Sequence, residues 1–197
     1  MPQLRVLIAV TDQREGQGLR DKLIKAGHLV IGQVREAKDV LRVAFEIQPD
    51  LVMMDPRLPD YGGLGVAQVI DEHRVAPIVF ITRDYADITR QAGRGWLFSY
   101  LLSPYSDEEL YLAVEVAQSN FQRVLTLERE NARLRKSLEA RRLVERAKSL
   151  LLEQKGWSER EAHKYLQKIS MNTARPLSVV ARLVIKEMER NVLDNNS

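Results

Sequence analysis

Residues 50–63, DLVMMDPRLPDYGG, decide the fold. Leu51–Met54 is an unbroken apolar run of strand length, the pattern of a strand covered on both faces rather than one. It stops at Asp55-Pro56, where proline removes the next ladder donor. Working outward, similar short runs stand at Leu4–Val10, Leu29–Val34, Ile78–Thr82 and Phe98–Leu102. Between them the apolar spacing changes to a helical one. Leu19, Leu23 and Ile24 share one face, Val40, Val43, Ala44 and Ile47 a second, and Val66, Val69 and Ile70 a third. Strands alternating with helices predict a doubly wound α/β domain over residues 1–120, with a parallel five-stranded sheet. Such a sheet builds its site beyond the carboxyl ends of its strands. Those ends are Val10-Thr11-Asp12, Asp55, Thr82 and Ser103-Pro104. The glycines of Tyr61-Gly62-Gly63-Leu64-Gly65 have no Lys-Ser/Thr after them, so they are turn residues and not a phosphate loop.

The run DLVMMD…LPDYGG, then PIVFIT, then SYLLSPY with its proline after the fifth strand, resembles a response-regulator receiver domain over residues 3–120. The resemblance implies that Asp55 is the phospho-acceptor, that an acidic pair after the first strand holds Mg²⁺, and that Thr82 and a lysine before the proline contact the phosphoryl oxygens. Two parts depart from the pattern. Counted back from Gly27, the acidic pair falls on Val10 and Thr11, leaving Asp12 nearby, and Ser103 stands at the lysine position. A phosphoryl donor would then meet the Asp55 carboxylate with its charge unneutralised in a partly desolvated cleft. The expectation is a weak or inactive acceptor at Asp55, a remnant pocket of Asp12, Thr82 and Ser103, no cofactor, and a domain that serves for docking or dimerisation. Tyr100 falls where receivers carry a switch aromatic, and an aromatic in a strand also packs.

Composition excludes several classes. Of 197 residues, 45% are hydrophobic and 29% charged, as in a folded domain. There is no cysteine, so no disulfide framework, thiolate metal site or thiol nucleophile exists. His28, His73 and His163 are too scattered to ligate a metal together. No His, Cys or paired acids converge on a reacting centre, so an enzyme is not expected. No apolar run reaches membrane-spanning length, and MPQLRVLIAV has neither the basic nor the long apolar part of a secretion signal. A reducing cytoplasm is the expected address. The charge is uneven. Residues 1–120 hold 13 Lys and Arg against 17 Asp and Glu, net −4, and residues 121–197 hold 17 against 10, net +7. A basic final third fits a polyanion partner, and it fits equally a long solvated helix.

From Ser106 to Gly156 the chain has no glycine or proline, and Ser106 with Glu109 forms a capping box. Residues 106–155 therefore read as one very long helix or two abutting ones. Val124, Leu127, Asn131, Leu134 and Leu138 follow an a–d–a–d–a pattern over a 121–140 linker. A lone Asn at an a position costs stability and favours a defined register, which points to a parallel dimer. The rival is a helix that lies against its own receiver.

Gly156 stops this helix, Ser158 and Glu161 form a second capping box, and Pro176 suits the first turn of a third helix. Leu143, Ala147, Leu150 and Leu151 face Ala162, Leu166 and Ile169 and then Leu177, Val180, Ala181, Val184 and Met188, so three helices should bundle, with VLDNNS as a frayed tail. The run RLVERAKSLLLEQKGWSEREAHKYLQKISMNTARPLSVVARLVI resembles the ANTAR module of transcription antiterminators, over residues 138–190. It does so through Ala147-Lys148, Gly156-Trp157-Ser158, Ala162 with Tyr165-Leu166, Ser170-Met171 and Ala181 with Ile185. The resemblance implies a dimeric regulator that binds paired hairpins in leader mRNA and prevents a terminator from forming, with a sensor protein or sensor kinase as a further partner. Loops of RNA offer unstacked bases to aromatic faces and phosphates to Arg and Lys. The candidates are Arg146, Lys148, Lys164, Tyr165, Lys168 and Arg175. Tyr165 could equally be a core ring; Trp157 reads as a hydrophobic plug, and Arg141 and Arg142 as solvated charges. A DNA-binding response regulator and a protein-docking adaptor are the competing classes. Against DNA, the last two helices lack a compact set of Arg, Asn and Gln for base edges.

Overall fold

The computed structural model describes residues 2–59, 62–84, 86 and 99–194, with side chains through Arg190. The strands are β1 (Arg5–Ala9), β2 (Leu29–Val34), β3 (Leu51–Met54), β4 (Ile78–Thr82) and β5 (Ser99–Leu102). All pair in parallel in the order β2-β1-β3-β4-β5. Phe98, Tyr61 and the last three tail residues, each read from the sequence above, lie outside the described residues. Helices α1 (Gln13–Lys25), α2 (Ala37–Ile47) and α3 (Gly62–Glu72) cover the sheet together with the start of α4 (Asp107–Lys155). Because strand side chains alternate, the sheet feeds two cores. Val6, Ile8, Leu51, Met53, Val79, Ile81 and Leu101 pack with Leu19 and Leu23 of α1 and with Leu110, Val114 and Phe121 of α4. Leu7, Ala9, Val52, Met54, Ile78 and Phe80 pack with α2 and α3. Ile24 and Ile47, grouped with the apolar faces by spacing, are exposed at the rim. Each lies at the end of its helix, where the sheet no longer covers it.

α4 is one helix of 49 residues. Its capping box is formed: the Glu109 N–H donates to Ser106 Oγ at 3.1 Å, and the Ser106 N–H to Glu109 Oε2 at 2.7 Å. Lys22 and Lys25, at the end of α1, both pair with Asp107 in its first turn, which holds that carboxyl below its usual range. Gly156, at φ 65°, ends α4.

The chain divides into two compact units, Met1–Thr126 and Leu127–Ser197. The second unit holds the rest of α4 with α5 (Glu159–Thr173) and α6 (Leu177–Asp194). Ala147, Leu151, Ala162, Leu166, Val180, Ala181, Val184, Ile185 and Met188 are buried together as its core. Ser158 and Glu161 make the expected capping box of α5. Glu139 pairs with Arg182 and Arg146 with Glu189, seven residues apart on both helices, so α4 and α6 run in the same direction. The tail is not frayed where it is described: α6 continues through Asp194, past Val192 and Leu193.

Candidate functional site

The register gathers the candidate pocket of the first unit. Ala9 lies opposite Met54, Met54 opposite Phe80 and Thr82 opposite Leu102, so Val10, Asp55, Thr82 and Ser103 all emerge at one edge of the sheet. Two ladder bonds hold it: the Asp55 N–H donates to Ala9 O at 2.9 Å, and the Ser103 N–H to Thr82 O at 2.8 Å. Asp55 Oδ1 accepts the Arg57 N–H at 2.7 Å, and the nearly buried Thr82 Oγ1 accepts the Asp84 N–H at 3.1 Å. The turn beneath Asp55 is tight, and a Cβ on Gly63 would overlap the Asp55 carbonyl oxygen and the Pro56 backbone. A glycine is required there, and it lets α3 start directly under the carboxylate.

Asp12 is engaged elsewhere. It is the N-cap of α1, and its carboxylate accepts the N–H groups of Arg14 (2.8 Å) and Glu15 (3.2 Å). Those bonds, the Glu15 one first, lower its pKa, and Arg83 adds to the effect. The Arg83 guanidinium lies 3.4 Å from Glu15 and 3.9 Å from Asp12, and Arg57 lies 3.3 Å from Asp84. Both arginines were missed from the sequence; the only signal was their place just past a strand end, Arg83 directly after Thr82 and Arg57 two residues after Asp55. Mg²⁺ prefers near-octahedral oxygen coordination built on carboxylates and water. Here the side chain that stands beside Asp55 is Val10, only 4% exposed. Asp12 and Glu15, the acids that follow β1, already face a guanidinium. Among the described residues no group of three or more His, Asp or Glu could hold a metal. Among the described residues, Val10 and the helix-capping Asp12 do not make the acidic pair that would fit such an ion beside Asp55.

In the second unit the candidate RNA residues separate. Lys164, Lys168 and Arg175 are exposed. Lys148 is not a free cation. It is 8% exposed, and its ammonium sits 2.8 Å from Glu145 and 2.7 Å from Glu159, which raises its pKa. It ties the end of α4 to the start of α5, because its position one residue after buried Ala147 turns it towards the bundle. Arg146 is paired with Glu189 at 2.6 Å. Tyr165 is half-buried on the helical core and packs edge-to-face on Trp157 at 5.0 Å. Its place three residues after Ala162 puts it on the inward flank of α5. Lys155 caps the aromatic pair, 5.1 Å from the Trp157 ring and 5.9 Å from Tyr165. Trp157 thus closes the α4–α5 corner as a plug, and Lys155 was missed as its cation partner. Of the a–d residues, Leu127, Leu134 and Leu138 are 54%, 64% and 59% exposed, and Asn131 is exposed with them. Val124 departs from that set: it is half-buried on the core of the first unit.

Comparison with known proteins agrees with this division. Residues 6–115 match the response regulator receiver domain, and residues 132–185 match the ANTAR domain. The transcriptional regulatory protein PdtaR of Mycobacterium tuberculosis is 35% identical over 188 residues, spanning 93% of this chain and 90% of that protein. The receiver domain of a modulated diguanylate cyclase from Desulfovibrio desulfuricans superposes with a TM-score of 0.56 at 24% identity, covering 61% of this chain and 97% of that one. The receiver domain of the response regulator NarL from M. tuberculosis gives 0.54 at 22% identity, covering 59% and 97%. At those identities the two structures show the fold alone. The chain therefore belongs to the response-regulator family, as a receiver domain followed by an ANTAR domain, and is a non-enzymatic regulator of transcription.

Proposed function

We propose that this regulator acts by antitermination: as a homodimer it binds paired hairpins in leader mRNA and keeps a terminator from forming. The observation that carries the reading is an ANTAR domain joined to a helix with an uncovered leucine stripe, Leu127, Leu134 and Leu138. Leucines more than half exposed on an otherwise charged helix call for a partner surface. A second copy of the same helix fits, because only a parallel, in-register pair sets Asn131 against itself, while an antiparallel pair opposes it with leucine. Glu130 and Arg135 would then face each other across the seam, as a g–e′ pair of opposite charge. Lys164, Lys168 and Arg175 supply accessible cations for RNA phosphate. The proposed address is the cytoplasm; no described helix is long and apolar enough to cross a membrane. The test compares a synthetic RNA of two short hairpins with duplex DNA of equal length in fluorescence anisotropy. At least tenfold tighter binding of the RNA is expected. Equal or tighter binding of DNA assigns the chain to the DNA-reading regulators instead.

The receiver, in this proposal, docks a sensor protein and does not pass a phosphoryl group through Mg²⁺. Asp55 is at the acceptor position, but Val10 and Ser103 leave its charge without the usual neutralising groups. Incubation with acetyl phosphate and Mg²⁺ should yield no phosphoryl adduct by intact-mass spectrometry. A stoichiometric adduct that Asp55→Asn abolishes would refute this.

A further inference from the structure

Carboxylates are distributed unevenly in the ANTAR unit. Residues 162–186 contain no Asp or Glu, the longest such stretch in the chain, and it covers most of α5. The two acids just before it are already engaged. Glu159 is bound to Lys148, and Glu161 accepts from the Ser158 backbone N–H and hydroxyl. Arg160, Lys164 and Lys168 are exposed and recur every fourth residue. They form a ridge along one face, with one cation about every 6 Å at a rise of ~1.5 Å per residue. That spacing is close to the step between successive phosphates of a single strand.

Exposed Arg175 follows the ridge just past the end of α5, and its backbone is held rather than loose. Ala174 takes the left-handed conformation at φ 51° and turns the chain at the end of α5. The Arg175 N–H then donates to Ser170 O at 3.2 Å, and Ser170 Oγ donates to Arg175 O at 2.6 Å. The two other helices of the unit lack this segregation. On the outer side of α6, Lys186 and Arg190 stand among Glu187 and Glu189. On α4, Glu139, Glu145 and Glu153 interrupt the cations.

We propose that this outer face of α5, Arg160, Lys164 and Lys168, with Arg175 at the turn that follows, is the track that holds one phosphate strand of an RNA hairpin. The proposal rests on the RNA-binding reading above. Gln167, on the same face, offers both a donor and an acceptor to a base edge. Beyond Glu161, which is bound by Ser158 and lies near Lys164 at its start, this face carries no carboxylate and attracts a polyanion along most of its length, whereas the mixed faces of α4 and α6 attract it only locally.

The test uses the full chain and the two-hairpin RNA, with binding followed against salt. Lys164→Gln/Lys168→Gln is compared with Lys186→Gln/Arg190→Gln, which removes the same net charge from α6. All four side chains are exposed, and circular dichroism checks that both variants remain helical. The α5 pair should lower the magnitude of the slope of log K against log salt by roughly 1.4, about 0.7 per lost phosphate contact, and the α6 pair should leave it unchanged. Adding Arg160→Gln and Arg175→Gln should lower it further. If the α6 pair lowers the slope and the α5 pair does not, the track is overturned while the RNA reading stands. If the unaltered chain binds the hairpins no better than duplex DNA or anionic vesicles, the RNA reading and the track fall together.

Discussion

The double variant Leu127→Glu/Leu134→Glu should be monomeric at concentrations where the parent chain is a dimer. In the proposed parallel pair each substitution places two glutamates opposite each other in the apolar seam. A buried carboxylate without a partner costs several kcal/mol, and the leucine contacts are lost in addition. With four such groups in one short seam, the dissociation constant should rise at least about a thousandfold, at 1.4 kcal/mol per tenfold. Sedimentation velocity reads the change directly. Both side chains are more than half exposed in the single chain, so the variant should keep its helical signal. A variant that remains dimeric places the contact on another surface, the receiver first. Asn131→Leu is the companion variant. It removes the one polar group of the seam and should tighten association while loosening the choice of register.

Leu166→Ala should unfold the ANTAR unit at or near physiological temperature. Leu166 is fully buried at the centre of the three-helix core, against residues from α4 and α6. Truncation of such a leucine costs about 2–5 kcal/mol, through lost transfer energy and the cavity left behind. A unit of this size has only several kcal/mol of stability in total. Thermal circular dichroism should show an early transition absent from the parent, and RNA binding should be lost with it. Lys148→Met is the contrast. Its partners Glu145 and Glu159 stay well hydrated, so removal of the ammonium leaves no charge stranded, and the loss should stay near 1 kcal/mol. A loss from Lys148→Met as large as that from Leu166→Ala would show that the ion pair, not the apolar core, holds α4 to α5.

Much of this architecture was legible because its causes are local. An apolar run with no polar interruption, as at Leu51–Met54, suits only a strand covered on both faces. The two capping boxes, Ser106 with Glu109 and Ser158 with Glu161, act over three residues and formed as their spacing requires. The lack of any glycine or proline between Ser106 and Gly156 allowed one long helix or two abutting ones, and the structure shows a single one. Periodicity reports which side chains share a face, but not what covers that face. Val124 fits the a–d repeat as well as Leu127 does, yet it packs on its own receiver core and Leu127 meets water. Lys148 and Lys164 look alike as lysines on basic helices, yet one is buried in a double ion pair and the other is free to meet a ligand.

The chain by itself therefore determined the element order, the parallel sheet, the capped helix starts at Ser106 and Ser158, the stop at Gly156 and the identity of the strand-end residues, including the missing acids at Val10 and Thr11 and the missing lysine at Ser103. These depend on the chemistry of a few neighbouring residues. Only the tertiary structure decided that Arg83 reaches Glu15 across 68 positions, that Lys148 is shared with Glu159 of the next helix, and that Tyr165 turns inward onto Trp157. Each of these depends on which distant groups the fold brings within a few ångströms. Charge pairing and burial are properties of that proximity, and no spacing along the chain encodes them.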